Sequence, residues 1–234
     1  MFEIFFNTYC INTLMILDLH IHSCYSGDCS SPVDGILAYA CNIGLNAIAI
    51  CDHDTIEGSL EAQRLVEEGG FDIVVIPGIE VTTNRGHLLI LGAQQAFPKK
   101  RSPEEIIRMA RAQDCMVVAP HPYKGYPQSL GNVADLDVDA IETLNSRYIF
   151  GWFNKKAEKM AKELDLPMLG NSDAHFVEMV GRAYTKIDSK PSVDAIFKAI
   201  ASGKTSVYGS RTPIHIQIRQ ACGSLKRRCM SKIK

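Results

Sequence analysis

Short apolar runs alternate with amphipathic helical stretches along almost the whole of this 234-residue chain, and few folds accept that alternation. The strand-like runs are Ile16–Leu19, Asn46–Cys51, Ile73–Ile76, Leu88–Leu91, Met116–Ala119, Ala140–Thr143 and Pro167–Leu169. They are too short for helices and rich in Val, Ile and Leu, as in strands covered on both faces. The segments between most of them carry helix signals. Ser31-Pro32-Val33-Asp34 offers a cap, a proline at the first helical position and an acid in the first turn, with Gly44 as the stop. Ser102-Pro103-Glu104-Glu105 repeats the device as a full capping box. Further on, Val193, Ile196, Phe197 and Ile200 share one helical face, closed by Gly203. Repeated βα units imply an α/β fold, here a distorted seven-stranded βα (TIM-like) barrel.

No repeat, low-complexity tract or Pro/Gly linker divides the chain, and a 46% hydrophobic composition is enough for one sizeable core. A single domain over residues 15–210 is therefore expected. Met15 directly precedes the first strand-like run, so residues 1–14 read as an N-terminal extension of uncertain status. That stretch lacks the basic start of a signal peptide, and Asn7, Thr8, Asn12 and Thr13 interrupt it too early for a membrane span. Residues 211–234 form a basic C-terminal strand and tail. Ile214, Ile216 and Ile218 alternate with polar residues as in a half-buried strand, and 224–234 has the composition of a mobile tail.

The net charge of −1 hides an asymmetry, because residues 211–234 hold seven of the 25 Lys and Arg and no acid. The remaining 18 basic residues face 26 acidic ones, so the body carries −8. A basic tail can grip nucleic acid, but a frayed solvated tail is the commoner outcome, and its only aromatic neighbour is Tyr208. Eight cysteines include no C-x-x-C pair, and Cys41, Cys51 and Cys115 sit in apolar runs as small hydrophobes. A reducing cytoplasm suits them. Phosphate-cradling Gly-rich loops and the G-x-S-x-G elbow are absent.

Chemistry concentrates where the strands end. The first strand closes in Asp18-Leu19-His20-Ile21-His22, and in an extended segment His20 and His22 point to the same side. Asp28 follows in the loop. The second strand ends in Asp52-His53-Asp54, the third in Gly78-Ile79-Glu80, and His87 opens the fourth. The fifth ends at Pro120-His121-Pro122, and the seventh is followed by Asn171-Ser172-Asp173-Ala174-His175. A lone histidine at a strand end is ordinarily a satisfied polar residue. Six of the seven histidines in such places is a different matter, because a core needs no such coincidence and unpaired buried acids are costly. Strand ends of a βα barrel converge on one face, so these residues are expected to meet there as ligands. Imidazole with carboxylate suits two or three divalent ions of Zn, Fe or Mn.

The runs Asp18-Leu19-His20-Ile21-His22-Ser23, Cys51-Asp52-His53-Asp54-Thr55, Gly78-Ile79-Glu80, His121-Pro122 and Asn171-Ser172-Asp173-Ala174-His175 resemble the motifs of the PHP (polymerase and histidinol phosphatase) superfamily. The resemblance spans Leu17 to Gly209 with the five motifs in family order. It implies a metal-dependent phosphoesterase, with His20, His22, Glu80 and Asp173 at a first metal. Glu80 would bridge to a second, shared with His87 and His121, and Asp28, His53 and His175 would hold a third. Histidinol phosphatases often carry His where Asp28 stands, so the chain looks more like the small-phosphoester and nucleotide branch. Some members of that branch insert a helical lid between the positions of His87 and His121, and the 33 residues separating them here leave little room for one.

The expected reaction is hydrolysis of a phosphomonoester, a nucleotide or nucleoside bisphosphate among the options, on a small phosphorylated substrate. Asp173 and His175 would assist proton transfer. Arg182, Lys124 and Arg147 are the candidate phosphate contacts, with Arg182 ranked first for its place just after the Asp173/His175 loop. Four alternatives stay open: a nuclease acting on a diester at a nucleic-acid end, a histidinol-phosphate phosphatase, an amide-hydrolysing metalloenzyme, and a non-catalytic metal-bound domain.

Overall fold

A computed structural model describes residues 13–231 except Tyr126, so most of the expected extension at 1–14 and the last three residues lie outside it. The strands are β1 Thr13–Ile21, β2 Ala47–Ile50, β3 Val74–Thr82, β4 His87–Leu91, β5 Met116–Ala119, β6 Ala140–Asn145, β7 Met168–Asn171, β8 Ala183–Ser189 and β9 Ser206–Gly209. The helices are α1 Val33–Asn42, α2 Glu57–Glu67, α3 Pro103–Arg111, α4 Trp152–Glu163, α5 Val193–Ala201 and α6 Ile214–Ser231. All seven expected strands are present within one barrel-shaped sheet, but the sheet has nine, in the order β7-β6-β5-β4-β3-β2-β1-β8-β9. The two unexpected strands lack an apolar stripe. Along β8 the buried positions include Thr185 and Ser189, and β9 is short and largely exposed.

Four links in the sheet are parallel, and two run through β4, which lies antiparallel to both β3 and β5. That reversal puts the start of β4 beside the end of β3. β8 is antiparallel to β1, pairing Thr13 with Ser189 and Leu17 with Thr185. The barrel closes where β1 meets the end of β7, through an Ile21–Ala174 bridge, a bond from His22 N to Ala174 O at 2.9 Å, and one from Leu19 N to Asn171 Oδ1 at 3.0 Å.

Three apolar layers hold this frame. The barrel interior packs Leu17, Leu19, Ala49, Leu89, Val118 and Leu169, with Ile196 and Ile200 of α5 across one end. Outside, Ile106, Ile107 and Ala110 of α3 and Ala157 and Met160 of α4 cover Ile79, Ile90, Val117 and Ile141. On the other flank, Val33, Ile36 and Leu37 of α1 and Ala62 of α2 cover Ile48 and Ile50. Both outer layers follow from apolar residues spaced three and four apart on each helix.

Local signals were met unequally. Ser102 caps α3, accepting from Glu105 N at 3.2 Å while the Glu105 carboxylate accepts from Ser102 N at 3.1 Å. Ser31 caps nothing. Helix α1 begins after Pro32, and the Ser31 backbone is taken up by Cys24 N and the Cys29 thiol. The largest departure is at the C-terminus, where helix α6 replaces the strand expected at 214–218. Thr212, Ile216 and Gln220 are buried at a spacing of four, whereas Ile214 and Ile218 are 54% and 56% exposed. The alternation of three isoleucines is therefore only apparent, and the residues that pack follow the helical period. No helix among the described residues is long and apolar enough to cross a membrane.

Candidate metal centre

At the end of β1, alternation sends His20 and His22 into the barrel mouth, both buried, with their Nε2 atoms 3.1 Å apart. Glu80, near the end of β3, is the hub. Its Oε1 lies 2.8 Å from His87 Nδ1 and 2.9 Å from His121 Nε2. Its Oε2 lies 3.0 Å from His53 Nδ1, 3.3 Å from His22 Nε2 and 3.6 Å from His20 Nε2. His53 reaches this point from the end of β2, fixed by a bridge to Glu80. His87 gets there because β4 is reversed, which places a strand start on the same face as its neighbours' ends. Asp173 and His175 follow β7. Asp173 Oδ1 is 3.5 Å from both His22 Nε2 and His175 Nδ1, and Asp28 Oδ2 is 3.0 Å from His175 Nε2.

All nine side chains expected as ligands thus converge. Four triads place one ligand atom each within 4.8 Å of the others: His20-His22-Glu80, His20-His121-Asp173, His53-Glu80-His87 and His22-His53-His175. Two of the nine adopt backbone conformations that L-residues avoid, His121 at φ 29° and Asp173 at φ 51°. Held strain of this kind concentrates at functional sites.

Two further buried carboxylates tie the ligand loops together. Asp18 accepts from Ser172 N at 3.0 Å and Gly181 N at 2.8 Å, holding the loop of Asp173 and His175 against β1. Asp52 accepts from Ser23 N and the Ser23 hydroxyl at 2.6 and 2.5 Å, holding the His22 loop against β2. Burial pushes both carboxyls up to about 6, against the pull of these hydrogen bonds. Among the cluster residues, burial opposes charge on Glu80, but His87, His53 and His20 outweigh it and hold the carboxyl well below its usual range. Asp173 is held down in the same way by Arg147, Lys124 and His20 against burial. Burial, reinforced by the His175 and Lys124 charges respectively, lowers His22 and brings His121 down to about 4. Against burial, Glu142 and Asp173 raise His20, and Glu80 raises His53 to about 10. Carboxylates interleaved with imidazoles in this way are the donor set of a divalent-cation site.

The residues fit such ions on a second count. Glu80 Oε2, His53 Nδ1 and His121 Nδ1 are fully buried yet make no hydrogen bond, and buried polar atoms are left so only when something else satisfies them.

The three basic candidates separate. Lys124 Nζ lies 2.9 Å from Asp173 Oδ2, and Arg147 Nη1 lies 2.9 Å from Asp173 Oδ1 and 3.1 Å from the His175 ring. Arg182, ranked first from sequence, is not with them. Its Nε donates to Glu178 O at an exposed position, because the chain turns at Gly181, φ 71°, immediately before it. Residues the sequence reading passed over also belong here. Glu142, Asn145 and Asn171 are fully buried around His20. The available signal was one acid inside the apolar run Ala140-Ile141-Glu142-Thr143-Leu144.

Comparison with known proteins bears on sequence and fold. The model of a family described as PHP-associated matches residues 151–205. An uncharacterized Methanocaldococcus jannaschii protein is 36% identical over 162 residues, covering 64% of this chain and 94% of that one. A 5'-3' exoribonuclease of Haemophilus influenzae is 40% identical over 87 residues, which are 35% of this chain and 30% of the relative. Among solved structures, a two-domain Bacteroides vulgatus protein containing a predicted PHP-like metal-dependent phosphoesterase superposes with a TM-score of 0.70 at 21% identity. That match covers 85% of this chain and 66% of the other. With its motifs, its barrel and its relatives in agreement, the chain belongs to the PHP superfamily.

Proposed function

We propose that this protein hydrolyses phosphomonoesters with two or three divalent ions held by His20, His22, Asp28, His53, Glu80, His87, His121, Asp173 and His175. The observation that carries the reading is Glu80, whose two oxygens lie within 3.6 Å of five imidazoles from four strand ends while one oxygen stays without a hydrogen bond. Ions bound there would lower the pKa of water toward about 7 and offset phosphate charge. Lys124 and Arg147, converging on Asp173, are placed to bind the non-bridging phosphate oxygens and hold the ester against the cluster. His175 and Asp173 lie between those cations and Asp28, where a side chain can pass a proton to the leaving oxygen. The test is phosphate release from a panel of monoesters, nucleotides and bisphosphates. The protein is stripped and reloaded separately with Mn²⁺, Fe²⁺ or Zn²⁺, beside a His20→Ala control. Metal-dependent release that the control lacks supports the reading. Stoichiometric metal binding without release from any ester removes it.

A second reading, hydrolysis at a nucleic-acid end, gains support from a feature that the sequence order concealed. Phe150 and Trp152 are 52% and 61% exposed and stack on each other, centroids 4.7 Å apart and planes 16° apart. Phe150 stands on the β6–α4 loop that also carries Arg147, and Trp152 opens α4 directly after it. An exposed aromatic pair within a few residues of a phosphate-binding arginine can hold a base by its face, worth about 1–3 kcal/mol. Under this reading Trp152→Ala raises KM for an oligonucleotide by about 10-fold and leaves a small aliphatic phosphate ester unchanged. Equal effects on the two substrates, or none, would remove it.

A further inference from the structure

Glu142 is buried at the centre of the cluster's supporting shell yet belongs to none of the four ligand triads. Both its oxygens are committed elsewhere. Oε1 is 2.9 Å from His20 Nδ1 and accepts from Asn171 Nδ2 at 3.0 Å. Oε2 accepts from His121 N and from Asn145 Nδ2, each at 2.8 Å. A carboxylate is acceptor-only, so His20 Nδ1 facing it must carry a hydrogen. The other ring nitrogen, Nε2, is the one that faces His22, Glu80 and Asp173.

We propose that Glu142 is the positioning residue of this centre, fixing the His20 ring so that Nε2 is presented as the ligand atom and holding the loops of His121 and Asp173 in register with it. The proposal rests on the metal reading above. Its reach follows from the neighbours. Asn145 Nδ2 is shared between Glu142 Oε2 and Asp173 Oδ2, at 2.8 and 3.1 Å, and the same amide's oxygen accepts from Arg147 N at 2.9 Å. Asn171 Oδ1 accepts from Leu19 N, one residue before His20, at 3.0 Å. Neither asparagine can flip without breaking a backbone bond. Glu142 therefore joins the ends of β1, β5, β6 and β7, accepting from a donor at each. Outer partners of this kind set the orientation and basicity of a ligating imidazole.

Glutamine at this position has nearly the same shape but one oxygen instead of two. With that oxygen on His121 N and Asn145 Nδ2, its amide NH₂ faces His20 Nδ1. The imidazole then accepts at Nδ1 and carries its hydrogen on Nε2, the nitrogen turned toward Glu80. The same inversion is what an amide does to a catalytic histidine held by an aspartate.

The experiment uses the full chain, stripped of metal, as wild type and Glu142→Gln. Zinc binding is followed by calorimetry, and the histidine ring nitrogens by long-range ¹H–¹⁵N spectra. His20 is assigned by its loss in His20→Ala. The expected result is zinc affinity weakened about 10- to 100-fold in Glu142→Gln, with the His20 hydrogen moved from Nδ1 to Nε2. Zinc binding equal to wild type with the His20 ring unchanged overturns the proposal. If Glu142→Gln does not fold, the zinc-loaded wild type decides alone. A hydrogen on Nδ1 supports the assignment, and a bare Nδ1 overturns it. Failure of the phosphatase reading appears instead as absent phosphate release, a separate measurement from both.

Discussion

Glu80 concentrates more of the site's charge balance than any other side chain, since five imidazoles surround its two oxygens. Glu80→Gln is expected to reduce bound metal by at least one ion per chain and activity by more than about 100-fold, checked by elemental analysis beside the ester assay. A variant with unchanged stoichiometry would show that Glu80 is not a ligand. The basic residues make a finer test. Lys124→Ala should raise KM for a phosphomonoester by about 10- to 100-fold, the worth of one charged hydrogen bond, whereas Arg182→Ala should leave it within about 2-fold. Here the limit of sequence is plain. The residues that converge at the barrel mouth were legible because a polar residue at the end of an apolar run has few reasons to be there. Closeness in sequence to His175 was a poor guide to which basic side chains reach Asp173, because one turn at Gly181 sends Arg182 outward while Lys124 and Arg147 arrive from other loops.

Elements were readable where their signals were local and self-contained. The Ser102 box was visible in four residues and is present with both of its bonds. Ser102→Ala should lower stability by about 1 kcal/mol, measured as a shift of the urea midpoint at constant slope. No shift would mean that α3 is held by its packing on Ile90 and Val117 alone. Signals that depended on tertiary context misled. Ile214, Ile216 and Ile218 alternate, yet only Ile216 is covered, because Thr212 bonds Ser146 and sets which face of α6 meets the body. Strand β8 was invisible for the complementary reason. Its inward Thr185 hydroxyl satisfies the Gly170 backbone and contributes nothing to an apolar pattern.

Across the whole molecule, the candidate ligands come from strands or loops at six places around the barrel mouth, so ions bound there would cross-link nearly the full circumference. Binding to the folded state alone stabilises it by about 2.7 kcal/mol at a hundred times Kd. For a chain of this size that corresponds to about 5–10 °C in Tm. Chelator-treated protein should melt lower by that interval and recover on reloading; identical melting would indicate that the nine residues bind no ion in the folded state. The barrel itself was readable from the repetition of βα units. The reversed β4 was not, since an antiparallel strand buried on both faces has the same composition as a parallel one.

The placement of β1 also sets an order of events. This strand is the inner wall of the barrel, but its far partners are Asn171 and Ser189, 152 and 176 residues along the chain from the groups they bond. Contacts of such separation carry a large loop-closure entropy before they give anything back, and they slow folding accordingly. A ribosome-bound chain therefore exposes Leu17, Leu19 and Ile21 throughout most of its synthesis, and the barrel mouth cannot assemble until β7 and β8 have been made. The nine candidate ligands can therefore come together only after β7 has joined β1, and an ion held by all of them would report that closure.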